Sequence, residues 1–151
     1  MKKIRRIALF VAAGLTALAA CDDFQASDNG KLDGFWQLTQ VDTLQSGRSE
    51  DVAKRMIFWS VQADLLEMKD LHDMTHAYHG IFFHFSHEGD RLRIYDPVID
   101  NRMISDSIVA EERTLWFYGV YHLEEAFQVL QLEAKKMTLE NERLRMYFRK
   151  Y

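Results

Sequence analysis

From Leu32 to the end of the chain, short apolar stretches alternate with polar turns at a spacing of about ten residues. This spacing is typical of an all-β sandwich or barrel. The clearest hairpin has two predicted strands, 81–86 and the alternating 91–95, on either side of His87-Glu88-Gly89-Asp90, where the glycine permits a tight turn. Because an antiparallel set of this size avoids long exposed edges by closing on itself, the sequence predicts an antiparallel up-and-down barrel of eight or nine strands.

The predicted barrel interior is crowded. Strands are expected at 35–41, 55–61, 65–71, 81–86, 91–95, 127–134, 137–139 and 144–148, with 108–109 and 115–118 as candidate strands and residues 121–125 as a candidate helical turn. The side chains expected to face inwards are mostly large: Trp36, Leu38, Phe58, Phe83, Phe85, Leu92, Ile94, Leu130, Leu132, Met137, Leu139, Leu144, Met146 and Phe148. An eight-stranded barrel is only just wide enough to be filled by side chains or to hold one small ligand. The pattern therefore favours a small cavity or none.

The first twenty residues read as a targeting segment. Four basic residues precede an almost wholly apolar run, Ile7 to Ala20, which is short for a membrane span and suits a signal-peptide core. The run ends in Leu18-Ala19-Ala20-Cys21, which resembles a bacterial lipobox, and Cys21 is the sole cysteine. We therefore expect a signal peptide over 1–20 and lipidation of Cys21, which would tether the protein to a membrane through its acyl chains. An ordinary signal peptide with a chance cysteine is the alternative.

Residues 21–31 are polar and read as an acidic tether before a domain spanning 32–151. Asp22 and Asp23 follow the cysteine directly. In Bacteroidetes lipoproteins, acidic residues at this place resemble a signal for export towards the outer-membrane surface, whereas in enteric-type sorting an aspartate there resembles an inner-membrane retention signal. We expect a cell-envelope lipoprotein, with the outer membrane favoured and its periplasmic or surface side left open. A solvated linker without any sorting role is the alternative.

A family resemblance rests on the start of the first strand, where Leu32, Gly34, Trp36 and Leu38 form an L-x-G-x-W-x-L pattern. This pattern, together with the final hairpin of the chain, resembles the lipocalin-like lipoproteins of Bacteroidetes and the wider calycin group. The resemblance implies that Trp36 plugs the closed end of the barrel beside Gly34, and that an arginine from the last strand, Arg149 or Arg145, packs across it. It also implies a non-catalytic protein that binds a small hydrophobic ligand. The body is shorter than a typical lipocalin and has no clear C-terminal helix.

The histidines are the remaining candidates for chemistry, since five of the six lie between positions 72 and 87. On a helical turn His72 and His76 would share a face with His79 near by, and His84 and His87 would join from the next hairpin, a set that suits zinc. The alternative is a group of solvated loop and strand residues, and on this basis we expect no metal and no cofactor.

Several function classes are excluded or disfavoured. The sequence has no P-loop, G-x-S-x-G or G-x-G-x-x-G motif, and His87-Glu88 is not a metalloprotease motif because Arg91 stands where the second histidine belongs. The formal net charge of −4, without a basic block in the body, argues against nucleic acid as a partner. Two hypotheses lead: a lipid-anchored binding protein for a small apolar ligand, and an accessory or interaction subunit of an envelope complex with a filled barrel. A histidine-metal enzyme ranks third.

Overall fold

The computed structural model describes residues 27–72, 80–100 and 105–151. The expectations for residues 1–20, Cys21, Asp22, Asp23, His76 and His79 lie outside these described residues. The described part of the chain forms ten antiparallel strands: β1 Gly34–Thr43, β2 Arg48–Asp51, β3 Ile57–Gln62, β4 Leu65–Asp70, β5 Ile81–Glu88, β6 Arg91–Ile99, β7 Ser107–Ile108, β8 Glu125–Leu132, β9 Lys136–Glu140 and β10 Leu144–Lys150.

Eight of these strands form a closed antiparallel barrel, as the sequence predicts. The strands pair in the order β1, β3, β4, β5, β6, β8, β9 and β10, and β10 pairs back onto β1 from Trp36–Lys150 to Thr43–Leu144. The strand β2 forms a hairpin on β1, and β7 adds two residues beside the end of β6. The sequence does not predict β2, because its four residues, Arg48–Asp51, are polar and exposed and show no apolar alternation.

Alternating side chains fill the inside of the barrel, and two of the expected inward residues face outwards. Trp36 pairs with Trp59 on the inward face, so the neighbouring Phe58 points outwards, where Phe35 stacks on it and buries it. Leu130 is 46% exposed, since β8 bulges between Val129 and Gln131 and breaks the alternation at this residue.

The segment before β8 also differs from expectation. Residues 115–118, predicted as a strand, belong to a 3-10 helix, Glu112–Tyr118, that ends where Gly119 adopts φ +82°. Residues 121–125 do not form the predicted helical turn, because β8 already begins at Glu125. The short apolar run Leu115-Trp116-Phe117-Tyr118 fits a strand and a buried helical turn equally well on periodicity alone.

One end of the barrel is closed by the residues before β1. A 3-10 helix, Gly30–Leu32, places Leu32 in the core, and Asn29 Nδ2 donates a hydrogen bond to the carbonyl of Ala63 in the β3–β4 turn. Residues 27–31, which the sequence assigns to the tether, are therefore held against the barrel. The opposite, open end carries the β9–β10 turn and the segment between β7 and β8. No helix in the described ranges is long and apolar enough to cross a membrane.

Candidate functional site

The open end of the barrel is covered by residues 109–122, which we call the lid. The lid contains the 3-10 helix Glu112–Tyr118, and three of its side chains, Val109, Leu115 and Val120, are buried in the hydrophobic core. The inner face of the lid is thus a plug of aliphatic side chains in the barrel mouth, supplied by a short segment outside the sheet.

The lid backbone lies directly on the last strand. Gly119 has φ +82°, which favours glycine, and a Cβ atom placed there would come within 2.5 Å of Met146 Sδ. Asn141 Nδ2, from the β9–β10 turn, donates a hydrogen bond of 3.2 Å to the Gly119 carbonyl. These contacts fix the lid at the end of the barrel opposite to Trp36.

A buried carboxylate holds the end of the lid. Glu125 begins β8 and pairs with the buried Ile94, so its side chain faces the mouth and is only 8% exposed. One carboxylate oxygen accepts hydrogen bonds from the backbone N–H groups of Tyr121 (2.5 Å) and His122 (3.3 Å), and the other accepts one from Asn141 Nδ2 (2.6 Å). Burial raises the pKa of Glu125, and these hydrogen bonds together with the nearby His122 oppose the shift. Glu125 therefore ties the lid to β8 and to the β9–β10 turn through a buried carboxyl group.

The outer face of the lid is apolar and exposed. Trp116 and Phe117 are 49% and 46% exposed, while Trp116 also contacts Tyr121 at 6.2 Å between ring centroids. Tyr118 lies on the β4 side of the mouth, where its burial and the charge of Asp70 raise its pKa to about 12. The lid thus has one face in the core and one face in solvent.

Beneath the lid, the inward side chains of the barrel are shielded from water. Trp36, Trp59, Leu92, Ile94 and Met146 each have 0% exposure, which means that a water molecule touches none of them. The interior of the barrel is therefore filled by side chains where these residues lie. A ligand can enter only by displacing some of them.

Two buried polar atoms have no hydrogen-bond partner in the described part of the chain, namely Trp59 Nε1 and His87 Nε2. Trp59 faces the interior beside Trp36, and His87 shares an inward register with Leu92. Both atoms thus belong to side chains in inward register and lack a hydrogen-bond partner among the described residues.

A second, polar cleft lies outside the barrel wall next to the mouth. Its volume is about 490 Å³, and its lining is mostly polar: Arg91, His122, Glu124, Glu125, Ala126, Phe127, Gln128, Glu140, Asn141 and Glu142. Glu124 is already paired with Arg93, and Glu140 with Arg145. Two of the charged side chains in the cleft, Glu124 and Glu140, therefore already have partners.

The candidate plug residues lie at the closed end, but the cation over the tryptophan is not the expected arginine. Trp36 is buried and donates a hydrogen bond from Nε1 to the carbonyl of Leu32 (2.7 Å). Arg149 points outwards, where it donates to Gln37 and lies over Tyr151, and Arg145 binds Glu140. Lys150 takes the place over the Trp36 ring, because it directly opposes Trp36 in the β1–β10 register.

The described histidines are not brought together. His84 is exposed and stacks with Tyr95, whereas His87, three residues later on β5, has the inward register of Leu92. His72 is exposed beyond the end of β4. Within the described ranges, no group of three or more histidine, cysteine or acidic side chains is arranged to hold a metal ion.

Sequence reasoning missed Glu125 and Lys150. The pair Glu124-Glu125 reads as surface charge, yet Glu125 stands two residues before Phe127, and alternation along a strand places both on the inward face. For Lys150, the resemblance directed attention to arginine, and only the strand register identifies the lysine.

A family model described as a lipocalin-like domain matches residues 16–151. Two solved structures have the same fold. A lipocalin-like protein from Bacteroides uniformis ATCC 8492 has 22% identity and a TM-score of 0.61, with 81% of this chain and 100% of that chain covered. An uncharacterised protein from Bacteroides eggerthii DSM 20697 has 23% identity and a TM-score of 0.59, with 79% and 98% covered. No curated protein matches the chain significantly.

A match of this length, over the residues that form the barrel, shows the family. The fold is one that generally serves non-catalytic binding. The chain belongs to the lipocalin-like family.

Proposed function

We propose that this protein is a lipid-anchored, non-catalytic binding protein of the cell envelope, and that it takes a small apolar molecule in the mouth of its barrel. The observation that carries the proposal is the construction of the mouth. Val109, Leu115 and Val120 close it from a short segment outside the sheet, so their withdrawal would open the interior while leaving every barrel strand paired.

The same observation limits the size of the ligand. The three plug side chains together contain roughly ten carbon atoms, and burying each of their carbons stabilises the closed state by about 0.8 kcal/mol. A ligand that replaces them has to bury a similar apolar area. We therefore expect a molecule of about this size, much smaller than a long-chain lipid.

The proposed anchor is joined to the closed end of the barrel, opposite to the mouth. Cys21 precedes Ser27, which is held at the closed end, by six residues, and a chain of that length reaches at most about 20 Å. With lipid on Cys21, the closed end would face the membrane and the lid would face the aqueous phase. Asp22 and Asp23 support the outer membrane as the location, on either of its faces.

Binding of butylbenzene, an apolar probe of suitable size, tests the proposal. The full chain is titrated with the probe and binding is followed by the ¹H–¹³C signals of the core methyl groups. The variant Leu115→Ala removes part of the plug, so it should bind the probe several-fold more tightly than the unmodified protein. Trp116→Ala, an exposed change on the same 3-10 helix, is the matched control and should leave the affinity unchanged.

The outcomes are distinct. Perturbed signals from Leu115, Val120 and Met146, with tighter binding by Leu115→Ala, would support the proposal. Absence of any saturable binding by both the unmodified protein and Leu115→Ala would refute it.

A second candidate function is favoured by the burial of most inward side chains. With its barrel filled, the protein would act as an accessory subunit, and the exposed Trp116 and Phe117 would contact a partner protein. This candidate predicts that butylbenzene does not bind. It also predicts that a partner protein co-purifies with the unmodified chain but not with the double variant Trp116→Ala, Phe117→Ala.

A further inference from the structure

A buried hydrogen-bond donor inside the barrel lacks an acceptor among the described residues. Trp59 is fully buried, and no described residue accepts a hydrogen bond from its Nε1–H. Trp36, its cross-strand neighbour, is equally buried but donates to the Leu32 carbonyl. Since buried polar groups in proteins are nearly always paired, the exception at Trp59 calls for an explanation.

The surroundings of Trp59 offer little compensation. The rings of Phe127 and Phe148 contact the indole, with centroids 5.5 Å and 5.1 Å away. Aromatic rings accept hydrogen bonds only weakly. The cross-strand partner on β4 is Met68, which is fully buried and whose thioether is also a weak acceptor.

Trp59 is within reach of a molecule that enters under the lid. Met146, on which Gly119 of the lid rests, and Phe148, which contacts Trp59, lie two residues apart on β10 and face the same side. Two residues of a strand span about 7 Å, so a single layer of side chains separates the lid from Trp59. Met146 is a flexible, unbranched side chain that can move aside.

We propose that Trp59 Nε1–H is the specificity-determining donor of the barrel interior, and that the ligand is a small apolar molecule with one neutral oxygen acceptor, such as a ketone, ester or ether. This inference rests on the proposed function, because it names the class of ligand that enters the mouth. The acceptor is neutral because Lys150, the cation over the neighbouring Trp36, is bound to the carbonyls of Lys31 and Asp33 at the closed end. A carboxylate beside Trp59 would be buried without a positive charge, which is unfavourable.

A matched pair of probes tests the inference. Acetophenone and α-methylstyrene have the same shape, but the carbonyl oxygen of the first is a methylene group in the second. Both are titrated into the full chain and into Trp59→Phe, which keeps an aromatic ring and removes the N–H group. Near-ultraviolet circular dichroism checks that the variant is folded.

We expect the unmodified protein to bind acetophenone about tenfold more tightly than α-methylstyrene, which is the effect of one net hydrogen bond, and we expect Trp59→Phe to lose this preference. The indole ¹H–¹⁵N signal of Trp59, assigned through its contacts with Phe127 and Phe148, should shift downfield with acetophenone only. This measurement on the unmodified protein decides the question even when the variant does not fold.

Equal affinity for the two probes, or a preference that persists in Trp59→Phe, would overturn the inference while leaving the proposed function intact. If neither probe binds while butylbenzene does, the inference fails and the proposed function stands; if butylbenzene does not bind either the unmodified protein or Leu115→Ala, both fail.

Discussion

Lys150 Nζ lies 4.4 Å from the centre of the Trp36 ring and donates hydrogen bonds to the carbonyls of Lys31 and Asp33. One side chain of the last strand thus covers the tryptophan of the first strand and holds the backbone that leads into it. Trp36 completes the arrangement, since its Nε1 donates to the carbonyl of Leu32. Three of the four residues before Gly34 are fixed by these contacts, which closes this end of the barrel.

Replacing Lys150 by methionine should weaken the closed end. The change keeps an apolar stem but removes a cation–π contact and two charge-assisted hydrogen bonds, so we expect a loss of about 1–3 kcal/mol in the free energy of unfolding. Urea denaturation of the variant and of the unmodified protein measures this loss of stability. Lys136→Met, an exposed lysine on β9, is the control and should change stability by less than about 0.5 kcal/mol. Equal midpoints for the two variants would contradict this role of Lys150.

Trp36 itself should be indispensable to stability. Trp36→Ala removes a fully buried side chain from the closed end, and such changes typically cost 3–5 kcal/mol. Trp116→Ala removes the same side chain from a half-exposed position on the lid and should cost far less. Thermal unfolding of the two variants gives the comparison, and an unchanged melting temperature of Trp36→Ala would show that Trp36 is not a structural plug.

Glu125 should make stability depend on pH in a defined direction. Burial raises its pKa above the ordinary value of 4.5, so the folded state binds the proton more tightly than the unfolded state. The corresponding stabilisation is fully present below pH 4.5 and is lost as the pH rises through the folded-state pKa. The groups that face it across the mouth and the cleft are His122, Arg91, Glu124, Glu140 and Glu142.

The difference in unfolding free energy between the unmodified protein and Glu125→Gln isolates this contribution. As the pH rises above 4.5, the unmodified protein should lose stability relative to Glu125→Gln. The ¹³C signal of the Glu125 carboxyl group should titrate above pH 4.5. Glu124→Gln, an exposed neighbour, is the control. A titration midpoint at or below 4.5 would contradict the effect of burial.

Cys21 should be the sole attachment to the membrane. We predict that Cys21→Ser leaves the chain either in the soluble fraction or unprocessed, because the acyl chains supply the membrane affinity. Fractionation and intact-mass measurement of the mature protein check this. A variant that is cleaved normally and still sediments with membranes would contradict lipid anchoring.

The barrel was predictable because its signals are local. Alternation identifies the inward residues Trp36 and Leu38 of β1, Leu92 and Ile94 of β6, and Leu144, Met146 and Phe148 of β10, and the turn at Gly89 sets one hairpin. The errors at Phe58 and Leu130 have a different origin. Phe58 is buried by Phe35 on the outside of the barrel, and Leu130 lies at a bulge in β8. Both features depend on neighbouring residues in other strands, so the periodicity of a single strand does not reveal them.

The lid was not predictable as a lid. Leu115 to Tyr118 reads as a strand, and only the approach of Gly119 to Met146 and the contacts of Glu125 show that the segment crosses the mouth. The role proposed for Trp59 was equally hidden, since the lack of a partner for its Nε1 among the described residues appears only when the neighbouring strands are in place.

Native mass spectrometry of the full chain, extracted from its own membrane, tests most directly whether the barrel mouth binds a small apolar molecule. We predict a species heavier than the lipidated polypeptide by the mass of one such molecule, which dissociates on activation and is absent when excess butylbenzene competes for the mouth. The lipidated polypeptide alone, without any small-molecule adduct and without uptake of butylbenzene, would contradict the account and leave the filled-barrel interaction subunit in its place.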